Sequence, residues 1–197
     1  MLAVQQKLQR FVTRPLDRCA PTADYACMPV SSPAEDGVPL VHEAVGMLVR
    51  GDAVTVLHEA SASLRRSRWL FSTFERLPLQ TYVVMLVIGD TAKPPDQAHR
   101  EHDSQAYQRV AHKLRRIIAV SEGGSFRISM VRLVMNAYAL ITGKRQLFAF
   151  AQDLPQAFEW VQGARSPHTP DVAQMQADLA RLRQAVSQHP RTSNAPA

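Results

Sequence analysis

The chain reads as an α/β fold, one domain on a mixed sheet whose later strands run parallel. Three observations lead there. Two short apolar runs at 46–49 and 53–57 flank Arg50-Gly51-Asp52, a tight turn between strands. Beyond residue 80, β-rich runs alternate with stretches of helical period, the mark of strand–helix–strand units joined by right-handed crossovers. At 197 residues, 46% of them hydrophobic, the chain can bury one core and hardly two.

The elements follow in order. Residues 1–37 form a leader with prolines at Pro15, Pro21, Pro29 and Pro33, closing on Ser31-Ser32-Pro33-Ala34-Glu35-Asp36-Gly37, a composition expected to be flexible. After the strand pair, SLRRSRWLFSTFERL at 63–77 sets Leu64, Trp69, Leu70, Phe74 and Leu77 on one side of a helix that Pro78 stops. TYVVMLVI at 81–88 is a continuous apolar run ended by Gly89-Asp90, a strand buried on both faces. A polar loop over 91–102 then leads to a helix at 104–114 with Asp103 or Ser104 as its N-cap. Strand 116–120, helix 125–141, strand 146–151 and helix 154–163 complete the order β-β-α-β-α-β-α-β-α. Proline in the first turn, at Asp153-Leu154-Pro155, marks the start of the last of these. The domain is expected over 38–165. Residues 166–197 add a linker, an amphipathic helix and a polar tail. In that helix Val172, Met175, Leu179, Leu182 and Val186 recur at three, four, three and four, and Thr169-Pro170-Asp171 opens it. The seam is too short for a coiled coil and predicts packing on its own domain or on a sister chain.

The element order over 38–163 resembles the STAS domain, the anti-anti-sigma-factor family. The matching features are the paired opening strands, the buried strand ending at Gly89-Asp90, the helix opened by Asp103-Ser104, and the closing strand and helix from Phe148 to Trp160. The resemblance implies a module that binds a partner protein without catalysis, some members holding a nucleotide or other small ligand. It also makes Ser104 the counterpart of the serine that a partner kinase phosphorylates. Here Gln105 and Ala106 replace the small hydroxyl residue and glycine that follow that serine. About a dozen residues, TAKPPDQAHREH, are inserted before it. As a plain N-cap, Ser104 or Asp103 needs no further role.

The remaining candidates come from the residues themselves. In SEGGSFRISMVRLVM the glycines Gly123 and Gly124 make a turn and Ser125 a cap; the same loop, with Asp90 and Asp153 at neighbouring strand ends, is a candidate anion or ligand edge. It lacks GxGxxG and GxxxxGK[ST]. The helix beyond has a thin polar stripe of Ser125, Ser129, Arg132 and Asn136 and is apolar elsewhere. Two arrangements satisfy it: a central helix touched by several elements, or an interface with Met130, Val131, Met135 and Tyr138 as anchors. Met175, Leu179 and Leu182 of the last helix join these as candidate interface residues. His99-Arg100-Glu101-His102-Asp103 is expected to be a solvated loop, with no metal and no cofactor implied. Asp90, Glu122 and Asp153 are a weak cation set. Lys113, Arg115, Arg116, Lys144 and Arg145 would line one end of a parallel sheet as a basic rim.

Charge and cysteines bound the function classes. The formal charge is +6, and because residues 1–37 carry four charges of each sign the excess lies in the rest of the chain. No dense Lys/Arg tract with interleaved aromatics argues for nucleic acid, and no apolar run reaches the roughly twenty residues of a membrane span. Cys19 and Cys27 make neither a disulfide framework nor a zinc spacing, so a cytoplasmic setting is expected. The sequence thus predicts a non-enzymatic regulatory interaction module, self-associating and holding a protein partner of acidic character. The alternative is a small-ligand binder or enzyme at the carboxyl edge of the sheet, taking a nucleotide, phosphate or lipid.

Overall fold

Two reversals, each of two residues, begin the sheet. Strands β1 (Leu40–His42), β2 (Val45–Arg50) and β3 (Ala53–His58) pair antiparallel, with His42 opposite Val45 and Arg50 opposite Ala53. So short a connection between right-twisted strands calls for a positive φ. Gly51 supplies it at 56°, and a β-carbon there would also run into the carbonyl oxygen of His168. In the first turn the positive φ, 55°, falls on Glu43, which has no such freedom. Its carboxylate is held by Arg66 Nε at 2.6 Å and Arg65 Nη1 at 3.5 Å. The structure is a computed structural model and describes residues 34–60, 63–92, 95–123, 129, 132, 133, 136, 139, 143, 145–164 and 166–189.

From β3 onward the pairing is parallel, through β4 (Tyr82–Ile88), β5 (Leu114–Ser121) and β6 (Phe148–Ala151). The six strands lie in the sheet in chain order, β1 to β6. This is the mixed α/β sheet expected from sequence, with β1 as a short first strand that the pattern did not reveal. Four helices are defined among the described residues: α1 (Leu64–Arg76), α2 (Gln97–Val110), α3 (Leu154–Gly163) and α4 (Val172–Gln188). None is long and apolar enough to cross a membrane.

Alternation along the strands divides the core in two. Val45, Met47, Val54, Val56, Tyr82 and Val84 pack with Phe74 and Leu77 at the end of α1 and with Tyr107 and Val110 of α2. On the opposite face Leu48, Leu57, Val83, Met85, Ile118 and Val120 meet Phe158 and Val161 of α3 and Met175, Leu179, Leu182 and Val186 of α4. α3 lies over β4, β5 and β6, and α4 over β1, β2 and β3, so the two share one face.

Of the two packings expected for the seam of α4, on its own domain or on a sister chain, the structure has the first. The seam, with Met175, Leu179 and Leu182 that were offered as interface residues, is buried in the core of its own chain. Its fit is close: a β-carbon on Gly46 of β2 would come within 2.7 Å of Leu182 Cδ1 and 2.8 Å of Val186 Cγ2. The helix expected as an addition beyond 165 packs on β1, β2 and β3, within the compact unit Ser32–Ala197. One expectation is corrected: the second helix does not begin at Ser104. It begins at Gln97, where Asp96 accepts from His99 N at 2.8 Å, so Asp103 and Ser104 lie inside the helix and cap nothing. Gln, Ala, Arg and Glu are good helix formers, and the stretch is polar because much of it faces water. α4 is likewise capped by Asp171, which accepts from Gln174 N at 2.8 Å. Thr169 instead donates to Asp52 Oδ1 at 2.5 Å.

Charged groups tie the layers together. Asp178 of α4 is buried and accepts from Arg50 at both carboxylate oxygens, Nε to Oδ2 at 2.5 Å and Nη2 to Oδ1 at 2.9 Å, and from Arg181 Nη2 at 2.7 Å. Lys113, also buried, donates from Nζ to the carbonyls of Glu75 and Leu77 at 2.7 Å each and of Phe74 at 3.3 Å, closing the C-terminus of α1. Arg115 reaches Ala164 O at 3.0 Å and Asp52 Oδ2 at 3.2 Å, and Arg116 lies 5.8 Å over the Trp160 ring. Lys113, Arg115 and Arg116, expected as part of a basic rim, each have a partner within the chain. Lys144 lies outside the described residues.

Candidate functional site

The densest group of chemistry-bearing side chains sits where β3 ends and α1 and α2 meet. β3 delivers His58 as its last residue, α1 contributes Ser67 one turn after its N-terminus, and α2 contributes His99, His102 and Asp103. The i, i+4 spacing of His99 and Asp103 puts both on one face of α2. That face turns inward, since His99 and Ser67 are buried.

Asp103 is the centre. Its Oδ1 accepts from the Ser67 hydroxyl and lies 3.3 Å from His102 Nδ1, while Oδ2 lies 3.3 Å from His99 Nε2. Ser67 Oγ is also 3.5 Å from His102 Nδ1. Serine, histidine and aspartate are thus in contact, but not in the order of a nucleophilic triad. There one imidazole nitrogen faces the serine and the other faces the acid; here Nδ1 faces both, and the serine proton points at the carboxylate. With Nδ1–H directed at Asp103, the tautomer that satisfies the contact leaves a lone pair on His102 Nε2.

His58 is half-buried at the end of β3. Burial is the main cause that pushes its pKa down to about 4; the Asp103 charge opposes the shift, and His99 and Arg66 add to it. On the β1–β2 side of the site His42 stacks on Trp69, ring centres 5.5 Å apart, and burial lowers its pKa as well.

The candidates read from sequence are distributed differently. Asp90 is exposed in the turn after β4, Glu122 is bound by Arg183, and Asp153 caps α3 by accepting from Gln156 N at 2.9 Å. These three acids are not brought together: among the described residues no group of three His, Cys, Asp or Glu side chains could hold a metal ion. Gly123 follows β5, whereas Gly124, Ser125, Met130, Val131, Met135 and Tyr138 lie outside the described residues. Ser104 is half-buried in the middle of α2, next to Asp103. Of that helical stretch, Ser129, Arg132, Leu133 and Asn136 are described and exposed, and Ala139 is buried.

Sequence reading passed over His58 and Ser67. One signal was available: a histidine ending an otherwise apolar strand, at the carboxyl edge where open α/β sheets place ligands. His99-Arg100-Glu101-His102-Asp103, expected to be a solvated loop, is helical and partly inward-facing.

No protein-family model, curated protein or solved structure matches the chain.

Proposed function

We propose that this chain is a non-enzymatic regulatory module of STAS-like build, cytoplasmic, which acts by holding a protein partner and associates with a second copy of itself. The observation that carries the reading is Leu133, 70% exposed in a stretch whose sequence is apolar nearly all round. Support also comes from the charged groups. Those the sequence offered as a site, Lys113, Arg115, Glu122 and Asp153, are engaged in holding the fold together. The +6 formal charge of the chain gives the partner its expected acidic character. Light scattering coupled to size exclusion tests the self-association. The wild type is expected to run as a dimer and Leu133→Arg as a monomer with unchanged circular dichroism; a strictly monomeric wild type across the concentration range defeats the reading. Ser104 is the residue on which a partner kinase would act, and intact mass of protein from its native host would reveal the phosphate.

A second reading, a small-ligand binder or enzyme, rests on the Ser67–His102–Asp103 contacts at the carboxyl end of β3, with a lone pair on His102 Nε2. It moves the ligand edge from Asp90, Gly123–Ser125 and Asp153 to the α1–α2 junction. A thermal-shift screen against nucleotides, phosphates and lipids is expected to give a stabilised melting point that His102→Gln removes. Silence across that panel counts against it.

A further inference from the structure

We propose that His102 Nε2 is a phosphoryl acceptor, a site of covalent phosphorylation made nucleophilic by the Asp103 carboxylate behind the ring. The inference rests on the ligand-site reading of the α1–α2 junction and goes beyond it, from binding to group transfer. Two imidazoles of α2 face Asp103. That of His99 is only 7% exposed and turns Nε2 toward Asp103 Oδ2 at 3.3 Å. His102 is set the other way. Its Nδ1 lies 3.3 Å from Asp103 Oδ1, and its side chain is 24% exposed. Among the described residues nothing bonds Nε2 of His102, and it is not one of the buried nitrogens that lack a partner, as His42 Nε2 is. It therefore opens to solvent.

That geometry prepares a nucleophile. The buried Ser67 hydroxyl gives its proton to Asp103 Oδ1, so the serine takes up the carboxylate and not the imidazole lone pair. With Nδ1–H as the ring's contact with the acid, the tautomer is fixed and the Nε2 lone pair faces away from it. The same carboxylate meets the positive charge that the ring acquires once Nε2 forms a bond. Asp103 is the positioning residue, itself held from α1 by Ser67 and on its own helix by His99. Phosphorus is the electrophile that the surroundings favour. The first turn of α1, which leads to Ser67, carries Arg65 and Arg66 and no acid. The two arginines share the carboxylate of Glu43, and Arg65 remains 57% exposed. Guanidinium groups suit an incoming phosphoryl dianion better than a neutral acyl group.

The step balances without a separate base. The Nε2 lone pair attacks phosphorus in an activated donor of the phosphoramidate or acyl phosphate class. An Nε2–P bond forms and the donor's P–N or P–O bond breaks, its electron pair leaving with ammonia or with a carboxylate. The charge gained by the ring rests at Nδ1–H against Asp103. Nothing is oxidised or reduced.

Labelling of the full chain with potassium phosphoramidate, followed by mass-spectrometric mapping, tests this. The chain has seven histidines, and His112 and His168 are more exposed than His102. Accessibility alone would put those two first. The expected order is the reverse, with an acid-labile phosphoryl group appearing first on His102. Asp103→Asn should slow that reaction by about 10-fold, toward the pace of the exposed rings, and leave His112 and His168 unchanged. Nitrogen-15 NMR adds a readout that a merely structural Asp103 would not move: the wild-type His102 ring should carry its proton on Nδ1. Labelling that follows exposure, phosphate found only as the acid-stable ester of a serine, or a His102 ring protonated on Nε2 overturns the proposal. The labelling order and the ring tautomer are read on the wild type, so they decide even if the variant does not fold. A ligand that raises the melting point through His102 while the ring stays unlabelled would leave the binding reading standing and end this one.

Discussion

Three buried side chains show how much depends on where a polar atom finds its partner. Lys113 brings a charge into the core and closes three carbonyls with it. Lys113→Met keeps the aliphatic stem but orphans those carbonyls, and a loss of about 2–4 kcal/mol is expected in urea denaturation. Tyr107 is the opposite case: its hydroxyl is buried without a partner, under a ring 5.5 Å from Phe148. Tyr107→Phe should be neutral or stabilising by up to about 1 kcal/mol in the same experiment. For Asp178, burial would raise the pKa, but hydrogen bonds from Arg50, Gln174 and Arg181 outweigh it and hold the carboxyl below its usual range. Its stabilisation is complete above the unfolded value near 3.8 and is lost as pH falls below it. Asp178→Ala, which strands Arg50, should cost about 3–5 kcal/mol at pH 7, and the deficit should shrink on acidification below pH 4. None of these roles was visible in the sequence, since each depends on atoms brought together from distant parts of the chain.

Elements were more legible than residues. α1, β4 and α3 announce themselves through helical spacing, a β-branched run and a proline-marked first turn, and all three stand close to their expected limits. α2 was misread because a half-exposed helix of Gln, Arg, Glu and His carries too few apolar residues to display a period. α4 displayed its seam clearly; what the sequence could not say was that the surface opposite was β2 of the same chain. Gly46 is the mark of that packing, and it tests it. Gly46→Val would drive methyls into Leu182 and Val186, which lie under 3 Å from a β-carbon at that site. Overpacking of this kind typically costs about 1–3 kcal/mol, to be read as a lower urea midpoint with the slope unchanged.

At the scale of the whole molecule, the sheet in chain order gives each crossover a short path, and α3 and α4 then close the remaining face. A chain ending at residue 165 would leave Leu48 and Leu57 facing solvent where Leu179 and Leu182 now cover them. It should fail to show a cooperative urea transition and should bind hydrophobic dye, whereas independent folding of 38–165 would establish the domain boundary that the Pro-rich linker suggested. Linker composition is silent about whether a following helix returns to the sheet. That return also sets an order of events during synthesis. The first hairpins are complete at His58, and the helix that covers them begins only at Val172, with Arg50 and Asp178 separated by 128 positions. At about 5–20 residues per second the apolar underside of the earliest part of the sheet waits on the order of ten seconds for its lid. During that interval the nascent chain presents an uncovered β-surface, and a ribosome-associated chaperone would have its best purchase there.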